Sequence, residues 1–172
     1  NNQYTIVAGS TWNEGEDFLV NYINNSKDEK FIIAPHTINS NSILKLKASL
    51  KKETILYSEK EGKNLSEYTV LIIDTIGLLT KIYSYADAAY VGGGFRTGLH
   101  NILEPATFGI PIVIGSEYSK FKEAIDLVSL KGCISVQNQS TFSSTFRMLK
   151  NDLNYRKEMG KVNKTYIKKN IG

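Results

Sequence analysis

The chain has 172 residues, 41% hydrophobic and 22% charged, with a net charge of +4, the profile of a soluble globular protein long enough to bury one sizeable core. No apolar run approaches the ~20 residues of a membrane-spanning helix, and the opening, Asn1 to Tyr4, lacks the basic start and long apolar stretch of a secretory signal. One cysteine, Cys133, excludes an internal disulfide and, beside two well-separated histidines, makes a zinc site hard to build; its apolar surroundings predict a buried structural thiol.

Short β-branched runs alternate with helical periodicities along the chain. A strand is expected over 5–8, then a helix whose face is Phe18, Leu19, Tyr22 and Ile23, then a strand over 31–34. Residues 43–50 are ambiguous, because Leu44, Leu46 and Ala48 also alternate; their place between two strands favours a helix. Strands over 54–57 and 70–73 follow, then Leu79, Ile82, Tyr83 and Ala86 at helical spacing, then a strand over 88–91. A strand over 111–114 places Pro111 at its first position, where a missing N–H is tolerated. Phe121, Ala124, Ile125 and Val128 repeat the helical spacing, and 133–136 reads as a last strand. Phe142, Phe146, Leu149 and Leu153 line a final helix that runs on into a lysine-rich tail.

Strands alternating with helices imply an α/β fold with a doubly wound, parallel, Rossmann-like sheet, and the strands are apolar on both sides of the pleat, as strands covered on both faces must be. The tail carries Lys150, Arg156, Lys157, Lys161, Lys164, Lys168 and Lys169. A solvated helix face is the expectation, with anionic lipid headgroups or a partner domain as alternatives. Nucleic acid is not an expected partner, because the aromatic residues are not interleaved with the basic ones as a stacking platform needs.

In open parallel sheets ligands bind beyond the carboxyl ends of the strands, so the turns there are read for chemistry. The richest is Gly92-Gly93-Gly94-Phe95-Arg96-Thr97-Gly98-Leu99-His100-Asn101-Ile102-Leu103-Glu104-Pro105. Three glycines let backbone approach a ligand or take positive φ, while Arg96, His100 and Glu104 supply polar groups. It is not the dinucleotide fingerprint, which follows the first strand of its unit with another spacing. Proline prefers the first helical position, so the next helix is expected to start at Pro105 with Glu104 as its N-cap, its carboxylate free for sugar hydroxyls. An Asn101–Glu104 capping box is the alternative. Asp74-Thr75-Ile76-Gly77 is an N-cap signal before a helix whose N–H groups suit a phosphate. His36, after Pro35, either contacts a base or phosphate or is structural. Gly9-Ser10-Thr11-Trp12 with Glu14-Gly15-Glu16 reads as a loop entering a helix.

Together these turns resemble the carboxyl-terminal lobe of bacterial 3-deoxy-D-manno-octulosonic acid (Kdo) transferases. "AGST" with an acidic pair, "PH" after a strand, "DT-Ile-Gly" before a helix and "GGG…HN-Ile-LEP-Ala-x-x-Gly-x-P" occur in the family's order from Ala8 to Gly115, and His100 to Pro111 is the most specific part. The resemblance implies the second half of a two-lobed GT-B fold and an inverting enzyme that moves Kdo from CMP-Kdo to a lipid A precursor, without metal or cofactor, at the cytoplasmic face of the inner membrane. It implies a CMP site lined by Pro35 and His36, by Ile76, Gly77 and Leu78, and by Asn101, Ile102, Leu103 and Glu104, with Glu104 on the ribose hydroxyls. Ser10, Thr11, Gly93, Gly94, Arg96 and His100 would lie near the phosphate or the Kdo group.

Three departures stand out. No arginine lies between Pro35 and His36, Leu78 stands where the family often has glutamate, and Phe95-Arg96 replaces the usual serine-leucine. The family's amino-terminal lobe, which binds the acceptor, supplies the general base and follows a membrane anchor, has no counterpart here, so the chain is expected to be one donor-binding domain, inactive alone. A UDP-sugar transferase or epimerase lobe, or a non-catalytic Rossmann-like binding module, are the alternatives.

Overall fold

The structure is a computed structural model that describes residues 3–76, 79–93 and 101–171. Seven strands form one parallel sheet: β1 (Thr5–Thr11), β2 (Lys30–Pro35), β3 (Thr54–Leu56), β4 (Val70–Ile72), β5 (Ala88–Val91), β6 (Ile112–Ile114) and β7 (Cys133–Ser135), ordered β3-β4-β2-β1-β5-β6-β7. The helices are α1 (Asn13–Asn24), α2 (Ser40–Ser49), α3 (Leu79–Ile82), α4 (Leu103–Thr107), α5 (Lys122–Leu130), α6 (Gln139–Asn151) and α7 (Leu153–Ile171). All seven expected strands are present and the fold class is as expected; β1 and β2 run further toward their carboxyl ends than their apolar runs do.

Alternation along the strands separates two cores. Ile6, Ala8, Phe31, Ile33, Ala88 and Tyr90 face α1, α2 and α6, where Leu19, Tyr22, Phe142 and Phe146 cover them. Val7, Ala34 and Ala89 face the other way, onto Ile82 and Tyr83. On that second face Val91, Ile112 and Ile114 pack against Ala106, Ala124, Leu127 and Tyr166. Burial on both faces makes these strands continuously apolar. Cys133 is buried, and burial raises its thiol pKa, which suits an inert structural residue.

Local chemistry sets the helix ends. Asn39 accepts from the Ser42 amide, 3.1 Å away, and starts α2. Asn138 and Thr141 form a reciprocal capping box that starts α6. The left-handed residue ending α5 is Lys131 (φ 71) rather than the adjacent glycine. Gly132 meets another demand, since a Cβ there would overlap the buried Asn163 side chain.

Two helical expectations need correction. The final helix does not run on unbroken: Asp152 separates α6 from α7 and caps the latter, accepting from the Tyr155 amide at 2.9 Å, and Leu153 is exposed. In α5 the inward face is Ala124 and Leu127, while Ile125 points outward at 43% exposure. Of the basic residues of the tail, Lys150 and Arg156 are half-buried and bonded to backbone carbonyls. Met159, Asn163 and Tyr166 form the inward stripe of α7, and Lys157, Lys161, Lys164 and Lys168 are exposed. Met159 joins the first core and Tyr166 the second, so α7 links the two faces of the sheet.

Candidate functional site

The chain leaves β1 toward β2 on one side and later returns to β1's other side as β5. The strand order therefore reverses between β1 and β5, and the crevice of such a sheet opens at the carboxyl ends of those two strands. Ser10, Thr11, Gly92 and Gly93 stand there, with Pro35 ending the neighbouring β2 and His36 just after it.

The backbone at this point is bent and crowded. Gly9 pairs with Ala34 and Thr11 with Pro35, so Ser10 is an extra residue in β1, held in the left-handed region at φ 53. The bulge presses its carbonyl against β5. A Cβ on Gly92 would overlap the Ser10 carbonyl oxygen and stand 2.8 Å from the Thr11 Cα, so only glycine fits. The Gly92 amide donates to the Gly9 carbonyl at 2.9 Å, and Gly93 follows with φ 88.

Beyond the bulge, three contacts tie β1, α1 and β2 together. The His36 amide donates to the Thr11 carbonyl at 2.9 Å. The Thr11 hydroxyl, buried, donates to Glu16 at 2.7 Å. The indole of Trp12 stacks on the His36 imidazole, with ring centroids 4.2 Å apart and planes 22° apart. Burial raises the Glu16 carboxyl above its ordinary pKa; the Thr11 hydrogen bond offsets part of the rise and the charge of Asp17 adds to it. Behind these groups the Tyr90 hydroxyl is buried against Gly15, where a Cβ would overlap it.

On the β4 side, Asp74 accepts from the Ser58 amide at 2.9 Å and from its hydroxyl at 2.5 Å, pinning the segment after β3. Ile76 emerges next, 89% exposed. Gly77, Leu78, Gly94, Arg96 and His100, and with them Phe95, lie outside the described residues.

The approach to α4 corrects an expectation. Neither Glu104 nor Asn101 is the N-cap. The helix starts at Leu103 after Ile102, and Pro105 is its third residue. The Asn101 side chain accepts from the Leu103 amide at 2.8 Å. The first intrahelical bond runs from the Ala106 amide to the Ile102 carbonyl, 3.2 Å, so Pro105 occupies a position whose N–H would have had no helical partner. Ile102 is buried in the second core, leaving only its backbone toward the edge, whereas Asn101 is exposed and Leu103 and Glu104 are half-buried. The Glu104 charge faces Tyr83: burial raises that phenol's pKa and Glu104 raises it further.

The turns after β1 and β2, the segment after β4 and the start of α4 thus share one edge of the sheet. Sequence reading passed over the roles of Trp12, Glu16 and Gly92. A tryptophan at a helix N-cap, where Ser, Thr, Asp or Asn normally stands, was the available signal. A cavity of about 610 Å³ lies elsewhere, between α5 and α7, lined by Asp126, Leu130, Glu158, Lys161, Tyr166 and Lys169. Among the described residues no helix is long and apolar enough to cross a membrane.

No family profile matches the chain. In structure it is similar to the C-terminal CMP-Kdo binding domain of WaaA from Acinetobacter baumannii, with a TM-score of 0.84 at 20% identity, covering 97% of this chain and 90% of that one. In sequence it is similar to the 3-deoxy-D-manno-octulosonic acid transferase of Chlamydia trachomatis, 31% identical over 140 residues, which is 79% of this chain and 32% of the relative. The corresponding transferase of Chlamydophila psittaci is 45% identical over 74 residues, 41% of this chain and 17% of the relative. The chain thus spans less than two fifths of the length of the curated relatives it matches, and about a third or less of these two.

The sheet order and its crevice define a Rossmann-like lobe of the GT-B fold. Within that class the chain is a homologue of the Kdo transferases and carries the fold of their carboxyl-terminal lobe.

Proposed function

We propose that this chain is the donor-binding lobe of an inverting glycosyltransferase that transfers Kdo from CMP-Kdo to a lipid A precursor at the cytoplasmic face of the bacterial inner membrane. The observation that carries the reading is convergence. The described residues that resemble the family's motifs sit on turns and element ends that share the carboxyl edge of one sheet, around the point where its strand order reverses. Likeness to the CMP-Kdo binding domain of WaaA supports CMP-Kdo as the ligand.

In this reading Glu104, half-buried at the start of α4, accepts hydrogen bonds from the ribose hydroxyls. Asn101, Leu103 and the backbone of Ile102 complete that wall. Pro35, His36 and Ile76 flank the nucleotide; Gly77 and Leu78 are assigned there by the resemblance alone. Ser10 and Gly93 lie toward the phosphate and the Kdo group; Gly94, Arg96 and His100 are assigned there by the resemblance alone. Thr11 contributes backbone, because its hydroxyl already serves Glu16. No metal is assigned a part.

The acceptor hydroxyl oxygen attacks the anomeric carbon from the face opposite the phosphate. The bond from that carbon to the phosphate oxygen breaks, and CMP departs with its electron pair. The hydroxyl proton goes to a base on the acceptor-binding lobe. This lobe's share is to hold the donor and to meet the growing phosphate charge with dipoles fixed beforehand.

The test is a titration of the isolated lobe with CMP, UDP and NAD, followed by amide chemical shifts. CMP is expected to bind and to move Asn101, Glu104 and His36. Glu104→Gln is expected to weaken CMP by about tenfold or more, the scale of a hydrogen bond to a charged group. A clear preference for UDP supports a UDP-sugar enzyme instead. Failure of every nucleotide supports a non-catalytic module.

A further inference from the structure

The structure assigns Trp12 a positioning role in nucleotide binding, exercised through His36; this rests on the donor-lobe reading above. Trp12 is the N-cap residue of α1, with an extended backbone (φ −121, ψ 163) and no side-chain cap. A residue that can accept the first-turn amides would ordinarily stand there, and its absence forgoes a stabilising cap. Local rules are most often broken in this way where a position serves a site. What the position gains is a half-buried indole lying flat against an exposed imidazole.

The backbone on either side of the pair is fixed. The Ser10 bulge is wedged against Gly92, the Thr11 hydroxyl is held by Glu16, and the His36 amide is bonded to the Thr11 carbonyl. The tryptophan therefore projects from a rigid base, and its ring lies against one face of the His36 imidazole. Ordering a side chain on binding costs affinity, and a stacked neighbour that already limits the tilt of the ring removes part of that cost in advance. The stack also joins the turns after β1 and β2 into one plate beside the crevice. The ligand class is a nucleoside monophosphate, which presents a flat base and a phosphate to an imidazole of fixed orientation.

The experiment is a double-mutant cycle on CMP affinity, with the folded state of each variant checked by its amide spectrum. Trp12→Ala is expected to weaken CMP about tenfold, the scale of one stacked pair, and Trp12→Phe to restore affinity to within about threefold. His36→Ala weakens CMP at least as much, and the double variant binds no more weakly than His36→Ala alone, because Trp12 acts through that ring. Trp12 is the chain's single tryptophan, so His36→Ala must also shift its fluorescence. The inference is overturned if Trp12→Ala binds CMP like the wild type, if the two losses multiply, or if the emission is blind to His36→Ala. If the wild-type lobe binds no CMP, the donor-lobe reading itself falls and the inference with it; normal CMP binding with an inert Trp12 sinks the inference alone.

Discussion

The two ends of the sheet use polar groups differently. At the amino end they close the structure over long sequence distances. The Thr5 amide donates to Asp87 at 2.8 Å, and the fully buried Asn163 of α7 donates to the carbonyls of Ile110 and Gly132 at 2.7 and 2.8 Å, just ahead of β6 and β7. Gly160 lets α7 pass close to the Gly109 carbonyl. At the carboxyl end the polar contacts bend and hold turns: the Ser10 bulge, Thr11 on Glu16, Asp74 on Ser58, and Trp12 stacked on His36. There an isoleucine lies almost bare. One end fixes the fold and the other presents it, so variants at the two ends separate stability from binding.

The sharpest break in that comparison is Asn163→Ala. It removes the donor from the half-buried Ile110 carbonyl and leaves the Gly132 carbonyl only the Ile112 amide, 3.4 Å away, so the lobe is expected to lose about 2–4 kcal/mol of unfolding free energy. Urea unfolding reads the loss directly. CMP affinity of the folded fraction stays within twofold of the wild type, because the contact lies at the opposite end from the crevice. A large loss of affinity in a folded Asn163→Ala lobe breaks the separation. Gly92→Ala is the counterpart at the carboxyl end. Its new methyl meets backbone that cannot swing aside, a strain of about 1–3 kcal/mol. Relief requires moving Ser10 and Thr11, so CMP affinity falls together with stability. Unchanged binding in a destabilised Gly92→Ala lobe would remove the bulge from the site.

Much of this fold was legible because each strand is buried on both faces, and a doubly buried strand shows as an unbroken apolar run. The rule that ligands gather beyond the carboxyl ends of such strands then selected the turns to read. The α6–α7 break was harder, since Phe142, Phe146, Leu149 and Leu153 hold helical spacing through it. The signal against continuity was Asp152, whose side chain caps the next helix. Pro105 misled because proline's preference for the first helical position is statistical. What the helix requires is only that the missing N–H fall among the amides without a helical partner, and the third position satisfies that. The Trp12–His36 stack joins residues just after neighbouring strands, and its partner was not legible from either turn alone. Nor was the placement of β4 between β2 and β3, which chain order does not dictate.

The finest distinction between the two ends concerns Glu16, whose carboxylate holds Thr11 under the crevice. Burial raises its pKa in the folded chain, so the folded lobe retains a proton that the unfolded chain has released. Stability contributed at this position is therefore present at acid pH and lost as pH rises from the ordinary glutamate value through the raised folded one. Glu16→Gln keeps an oxygen that can accept from Thr11 and removes the buried charge. It also gives up a favourable charge near the amino end of α1, which holds the net effect small. Relative to the wild type, the Tm of Glu16→Gln is expected to climb across that window and level off above it, by no more than a few degrees. Glu29, also raised by burial, is common to both proteins and cancels in the difference. A Tm difference that stays flat or falls with rising pH would mean that Glu16 is not strained by burial, and that the carboxyl end carries no cost of the kind argued for it.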